Sequence, residues 1–490
     1  MAVSYGFRGM RALSVLVLTP YLFRRLGLED FGLYGVVVTL AAILNLVERG
    51  FTAGLTKTVA ERLACGERAA LDEEIGVGST LMAAVAALSC LVAVPLILLA
   101  GGVIAAEGAA AFEVGALVLT VTMVIRFPLF AHGAALLGFQ RFDLFAAAEG
   151  LGVAVLVAGS IAAVESGGGV LGLAVAYAAS LLVSAVAFTI LLRRLDPSLD
   201  LRPRRGDPGM RRRVAGFGGL ALFAESMQFV AQQVDALVVA VIRGAAAAAP
   251  LVAALRLVGP LNLLVLPLVD LLLPMVADLR ARGAEEEIRR RFVLATRATL
   301  QITLPVSVGL ALFADEVVNL LFGEGAPPVT ASILVVLMVV QVTTYGSLPA
   351  GKVLLAAGRV RALAMMASVE GLTNLALSVV LVIRYGAIGA VVATLATSAV
   401  IVLLRVPLAC RETACPGLRM TTQAIAPAVA ATLPSVLVML ASLAAVESPI
   451  ARVALGLGGG WSVAAVIAGR QVGLRRLRAM VAFRGSPALR

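Results

Sequence analysis

Arg8 and Arg11 stand three residues apart in an apolar run, so a helix would carry both on one face. The guanidinium is a planar fork of donors that fits phosphate oxygens in pairs, so this spacing suits a multiply charged oxyanion. Arg49, Arg126 and Arg256 recur in equally apolar surroundings. Farther along, Glu225, Gln228, Gln232 and Asp235 are spaced 3, 4 and 3, one polar stripe on an otherwise apolar helix. A carboxylate among apolar neighbours is costly unless it takes a proton or a cation. The five arginines are therefore candidates for oxyanion binding, and Glu225 and Asp235 for exchange of H+ or Na+. Each has a plainer reading too. Arg8 and Arg11 can snorkel to headgroups, Glu48 and Arg49 sit near a helix end, and the stripe can be interhelical glue. Lys352 and Asp270 lie near span ends, and His132 is more simply a packing residue than a proton relay.

The elements that must hold these residues are membrane helices. Of 490 residues, 61% are hydrophobic and 14% charged, whereas soluble domains are about half apolar and a quarter charged. At about 35 residues per span and loop, the chain is predicted to be an all-α polytopic membrane protein of roughly 14 helices. Charge-free runs such as 75–106, 166–192, 325–351, 385–404 and 420–446 mark the clearest spans. The predicted set is 7–23, 31–56, 75–100, 111–137, 144–164, 170–192, 214–242, 246–277, 292–320, 328–356, 362–383, 387–404, 421–443 and 453–469. The first has no cleavage-site pattern after a short apolar core and is read as a retained helix.

The same composition excludes several functions. The longest polar stretch, 193–213, is too short for a soluble domain. Gly76-Val77-Gly78-Ser79-Thr80 lacks the lysine of a phosphate-cradling loop, so no ATP-driven pump fits within the chain. Four irregularly spaced cysteines (Cys65, Cys90, Cys410, Cys415) and a single histidine predict no disulfide framework and no metal site. The net charge of +11 reports topology rather than nucleic-acid binding. With the N-terminus inside, 28 of the 40 Lys and Arg fall in the even-numbered connections and the C-tail. Arg24, Arg25, Arg243 and Arg384 are among the few on the opposite side. Both termini are thus predicted to be cytoplasmic.

The halves echo each other at an offset of 217: Gly27, Gly66, Gly108, Gly169 and Gly172 match Gly244, Gly283, Gly325, Gly386 and Gly389. Leu136 to Arg141 also echoes Leu354 to Arg359 at an offset of 218. Six spans separate the repeats, so both halves run the same way through the bilayer. The expected organisation is a six-helix lobe over 1–195, a basic cytoplasmic linker over 196–213 and a second six-helix lobe over 214–410. Helices 13 and 14 with a basic tail complete it over 411–490. The offset maps Arg8 onto Glu225 and Arg11 onto Gln228.

Tyr21-Leu22-Phe23-Arg24-Arg25-Leu26-Gly27-Leu28-Glu29-Asp30-Phe31-Gly32-Leu33-Tyr34 resembles the opening of the bacterial polysaccharide flippases. These form a branch of the multidrug/oligosaccharidyl-lipid/polysaccharide exporter superfamily. Gly50 to Lys57 followed by Ala60-Glu61 resembles their second-span exit. Gln233-Val234-Asp235, Leu273-Pro274-Met275, Leu304-Pro305, Phe322-Gly323, Ala357-Gly358-Arg359 and Gly386 to Ala390 continue the likeness to about residue 410. The resemblance implies a two-lobed, cofactor-free transporter, not an enzyme, in the bacterial inner membrane. Its implied cargo is an undecaprenyl-pyrophosphate-linked oligosaccharide, moved from the cytoplasmic to the periplasmic leaflet by alternating access, with H+ or Na+ coupling. Polymerase and glycosyltransferase machinery are implied partners. Two relatives stay open: a multidrug/cation antiporter, which would want a more acidic first lobe, and a peptidoglycan-precursor flippase, which is also arginine-rich. A membrane enzyme would need a larger external loop than about 10 residues.

Overall fold

Lipid supplies no hydrogen-bond partner to a backbone, so a spanning chain must close its amide bonds within each segment. In the computed structural model, which describes residues 2–104, 109–211, 234–323 and 325–472, the described residues are helices and short turns with no strand. The helices run α1 (Ala2–Cys65), α2 (Arg68–Ile104), α3 (Ala109–Gly138), α4 (Phe142–Glu165) and α5 (Gly169–Leu195). After residue 234 come α6 (Asp235–Arg243), α7 (Ala245–Val258), α8 (Leu261–Asp270), α9 (Leu272–Ala281), α10 (Glu285–Leu312) and α11 (Ala314–Phe322). The remainder is α12 (Val329–Ala356), α13 (Val360–Tyr385), α14 (Ala387–Glu412), α15 (Gly417–Met420), a π-helical turn (Thr421–Ile425), α16 (Ala426–Ala445) and α17 (Pro449–Val472).

Twelve of the described segments are long and apolar enough to cross a membrane. The number agrees with the roughly 14 predicted. Residues 212–233, which hold most of the seventh predicted span, lie outside the described residues, and α1 holds two predicted spans. Gly27 divides it: its φ of 78° and ψ of 178° are not helical, and glycine reaches the positive-φ region without Cβ strain.

Two predicted spans are more broken than the sequence suggested. The stretch 246–277 is three helices, α7, α8 and α9. Pro260 lacks the amide proton that would continue α7, and the chain turns at Gly259-Pro260. The stretch 292–320 divides at Phe313, after which α11 begins with Asp315 and Glu316 in its first turn, while Val317, Val318 and Phe322 are buried. Acidic groups there oppose the positive end of the helix dipole.

The chain forms two compact units, Met1–Ala253 with Leu375–Ala390, and Ala254–Asn374 with Val391–Arg490. In the first, Phe130, Phe145 and Phe188 pack together, the last two stacked with centroids 4.9 Å apart. The polar stretch after α5 folds onto the start of α2. Arg204 N donates to Gly76 O at 3.0 Å, Arg68 pairs with Asp196 at 3.7 Å, and Asp200 accepts from Arg204 at 2.8 Å. That last hydrogen bond holds the Asp200 carboxyl below the usual carboxylate range. In the second unit, Leu272, Val276, Phe292, Val353, Leu354 and Met420 form one buried cluster. Trp461 Nε1 ties α17 to α10 by donating to Pro305 O at 3.3 Å.

Close helix approach in the first unit depends on Gly32, where an added Cβ would lie 2.0 Å from Ala245 O. Gly32→Val should therefore lower the thermal midpoint of the detergent-purified protein by an amount matching about 1–3 kcal/mol. Gly417→Ala, with open space at its Cβ, serves as the control and should leave the midpoint in place.

Candidate functional site

Arg126 lies on α3, 5% exposed, with its guanidinium carbon 4.7 Å from the centroid of the Phe130 ring one turn later. A ring face attracts a desolvated cation through its quadrupole, and the i,i+4 spacing within one helix presents the ring. Phe130 is itself held edge-on by Phe188 at 5.4 Å. His132 also faces α5, where its Nδ1 is 2.8 Å from Thr189 Oγ1. That places His132 in helix packing.

Asp235 opens α6, 5% exposed, and its Oδ1 accepts a hydrogen bond from Ser378 Oγ at 2.9 Å. At the other end of α6, Arg243 Nε donates to Val382 O at 3.2 Å and Nη2 donates to Ile383 O. Those carbonyls belong to the last turn of α13: Val382 O also accepts from Gly386 N at 3.0 Å, and Ile383 O is among the carbonyls that a helix end leaves without an intrahelical donor. Arg243 thus caps α13 and complements its dipole. The sequence had marked it only as a basic loop residue.

Among the other predicted arginines, Arg8, Arg11 and Arg49 lie on α1, and their side chains fall outside the described residues. Glu225, Gln228 and Gln232 fall outside them entirely. Arg256 is half-buried near the end of α7 and makes no ion pair among the described residues.

The second unit holds polar pairs that the sequence did not connect. Asn262 Oδ1 accepts from Tyr345 Oη at 2.8 Å, and Asn374 Nδ2 donates to Thr394 Oγ1 at 3.0 Å. Lys352 and Asp270, each read separately as an interfacial residue, form an ion pair at 2.8 Å. Arg297 and Gln301 of α10 both donate to Gln471 Oε1 of α17, at 2.7 and 2.6 Å. Arg405 stands one residue past the twelfth predicted span, 387–404, yet α14 runs on to Glu412 and buries it. The signal was present in Val406-Pro407-Leu408-Ala409, an apolar continuation past the arginine. Its partners are Glu370 at 3.8 Å and Ser347 Oγ at 3.3 Å. Glu412 in turn accepts from Arg280 at 3.1 Å and Arg359 at 2.9 Å.

The sequence matches the model of a family described as polysaccharide biosynthesis protein over residues 21–325. A search among curated proteins finds no significant match. The fold is similar to that of the lipid II flippase MurJ in an inward closed conformation, with a TM-score of 0.74 and 15% identity, covering 98% of this chain and 100% of that one. It is also similar to an inward-facing multidrug resistance MATE transporter of the MOP superfamily, with a TM-score of 0.68 and 17% identity over 84% and 95% of the two chains. A MOP superfamily transporter from Pyrococcus furiosus gives 0.61 and 16% over 86% and 94%. At these identities the likeness is one of fold.

The Arg243 cap gives a local test. Arg243→Ala leaves the Val382 and Ile383 carbonyls without these donors, so hydrogen exchange at the end of α13 should accelerate. A loss of about 1–2 kcal/mol of local protection is expected, with little change in α4 or α5. Unchanged exchange there would show that the contact carries no capping energy.

Proposed function

We propose a cargo and a mechanism from one premise: the chain belongs to the polysaccharide biosynthesis protein family. It is a multi-pass membrane protein with the fold of MOP-superfamily transporters. In our reading it is a secondary transporter that flips an undecaprenyl-pyrophosphate-linked oligosaccharide to the periplasmic leaflet for surface polysaccharide assembly. The observation that carries this reading is the family match, which spans more than half of the chain. Supporting it, Arg8, Arg11, Arg49 and Arg126 stand against Glu48 and Glu113 in the first, second and fourth predicted spans, a balance suited to a pyrophosphate rather than an organic cation. The burial of Arg126 at a ring face is the described part of that cationic set.

The lobes are assigned to 1–195 and 214–410, joined by 196–213 and followed by 411–490, with both termini cytoplasmic in the inner membrane. The repeat places Arg8 and Glu225 at equivalent points of the two lobes. Pairing of the two in one state and release of Arg8 to the pyrophosphate in the other would link headgroup binding to gating. Arg11, one turn deeper, stays on the headgroup. Glu225 and Asp235 exchange the coupling H+ or Na+. Polymerase and glycosyltransferases act on the delivered repeat.

Gene deletion tests the cargo. Loss of the surface polysaccharide with build-up of its lipid-linked repeat on the cytoplasmic side is the expected result. Normal polysaccharide with altered drug resistance would identify an antiporter instead. Arrested wall synthesis would identify a peptidoglycan-precursor flippase instead.

Site variants test the mechanism. Arg11→Ala should abolish display of the polysaccharide, and Arg11→Lys should retain part of it, because an ammonium keeps the charge without the fork. Arg8→Ala should cost about 10²–10³-fold, the scale of a charge-assisted pair losing one partner. Wild-type display by both alanine variants at matched protein levels would reduce these arginines to snorkelling residues. Glu225→Gln or Asp235→Asn should flatten the dependence of transport on pH or sodium, and unchanged ion dependence in both would reduce the stripe to packing.

A further inference from the structure

Glu370 of α13 and Arg405 of α14 are each 7% exposed, well inside the second unit. Their closest approach, Arg405 Nη2 to Glu370 Oε2, is 3.8 Å, an ion pair but too long for a hydrogen bond. Arg405 Nη1 donates to Ser347 Oγ of α12 at 3.3 Å, and Ser398 of α14 hydrogen-bonds the Glu370 carboxyl. Among the described residues, Glu370 Oε2 and Arg405 Nε have no hydrogen-bond partner.

A purely structural clamp does not look like this. A guanidinium and a carboxylate can share two parallel hydrogen bonds, and a buried pair needs those bonds to offset its desolvation. Here the charges are compensated while Arg405 Nε and Glu370 Oε2 are left without hydrogen bonds among the described residues. Such a pair is held by charge alone, and neutralising the carboxylate removes its main support. Among the described residues, Glu370 meets Arg405 and Ser398 from α14, and Ser347 of α12 is reached through Arg405. Lys352 on α12 is already taken by Asp270 at 2.8 Å, and Asn374, one turn along α13, is bonded to Thr394 at 3.0 Å.

We propose that Glu370 and Arg405 form a proton-operated latch inside the second unit. With Glu370 ionised, its charge holds Arg405 between α12 and α13. When Glu370 takes a proton at its carboxylate, the neutral acid keeps its hydrogen bond with Ser398 and Arg405 becomes an uncompensated buried cation. That state is relieved when α14 carries the guanidinium towards water or an anion, so protonation drives a displacement of α14. The latch makes H+ the cation sensed by this unit. Its role in transport rests on the flippase reading, but the proton exchange itself does not.

Infrared difference spectroscopy of the full-length protein in lipid vesicles, stepped between about pH 5 and 9, reads the carboxylic acid band directly. The wild type should gain a protonated-carboxyl band on acidification, and Glu370→Gln should remove that band. Arg405→Lys should shift its midpoint by about one pH unit, a tenfold change in proton affinity. Should Glu370→Gln fail to fold because it strands Arg405, the double variant Glu370→Gln/Arg405→Met removes both charges and should lose the same band. A band that survives at full size in the folded variants, or a midpoint indifferent to Arg405→Lys, overturns the latch. Transport of a fluorescent lipid-linked saccharide by the same vesicles is read separately. Its failure with the band intact counts against the cargo and leaves the latch supported.

Discussion

Each amide placed in lipid must find its partner inside the protein, and the rest of this structure follows from that requirement. It makes the described chain helical, and it also governs the side chains. Thr120 donates to Ala116 O at 2.8 Å, Thr303 to Thr299 O at 2.8 Å and Thr397 to Ala393 O at 3.0 Å. Such hydroxyls are satisfied within their own helix and need no neighbour. Longer polar side chains cannot do this, so they reach across. Ser378 to Asp235, Tyr345 to Asn262 and Asn374 to Thr394 each join separate elements or helices. Cross-helix polarity is therefore concentrated at a small number of places, which is where function is to be sought.

Irregular backbone obeys the same rule. The chain breaks at Gly259-Pro260, and Arg256 and Asn262 flank that break. Tyr345 reaches Asn262, so a side chain supplies order where the helix ladder stops. At the end of α13 the last carbonyls are met by Arg243 from α6. Short α6 thus has a polar bond to α13 at each end, Ser378 with Asp235 at one and Arg243 at the other. A nine-residue helix has little stability of its own in isolation. These bonds and its buried face set its position.

Helical class, span count and the break at Gly27 were legible in the sequence because they depend on local composition and on glycine at a turn. The break at Gly259-Pro260 was less so, since proline inside apolar runs is common here and most of its other instances, such as Pro128 and Pro305, leave the helix continuous. That Arg126 and Asp235 are buried could be read from their apolar neighbours. Phe130 at i,i+4 from Arg126 was also within reach of pattern reading. Ser378, 143 residues from Asp235, was not. Arg405 is hard to place for a different reason: its charge ends a charge-free run, although the apolar sequence resumes behind it. Pairings such as Glu412 with Arg280 and Arg359 depend on which helices are neighbours, and a single sequence does not specify that.

The two buried arginines with described surroundings show why burial alone does not define a role. A ring face, as at Arg126, stabilises a guanidinium through its quadrupole and leaves the formal charge in place. A carboxylate, as at Arg405, cancels that charge so long as it stays ionised. A ring contact suits a residue whose field must be felt by an anion, because the ring itself does not titrate. A carboxylate contact suits a residue whose field must be switched, because one proton on the carboxylate changes the net charge of the site. Residue type is the same in both, and depth is nearly the same. A ring cannot change its charge and a carboxylate can, so the two contacts answer differently to a proton even around the same residue type.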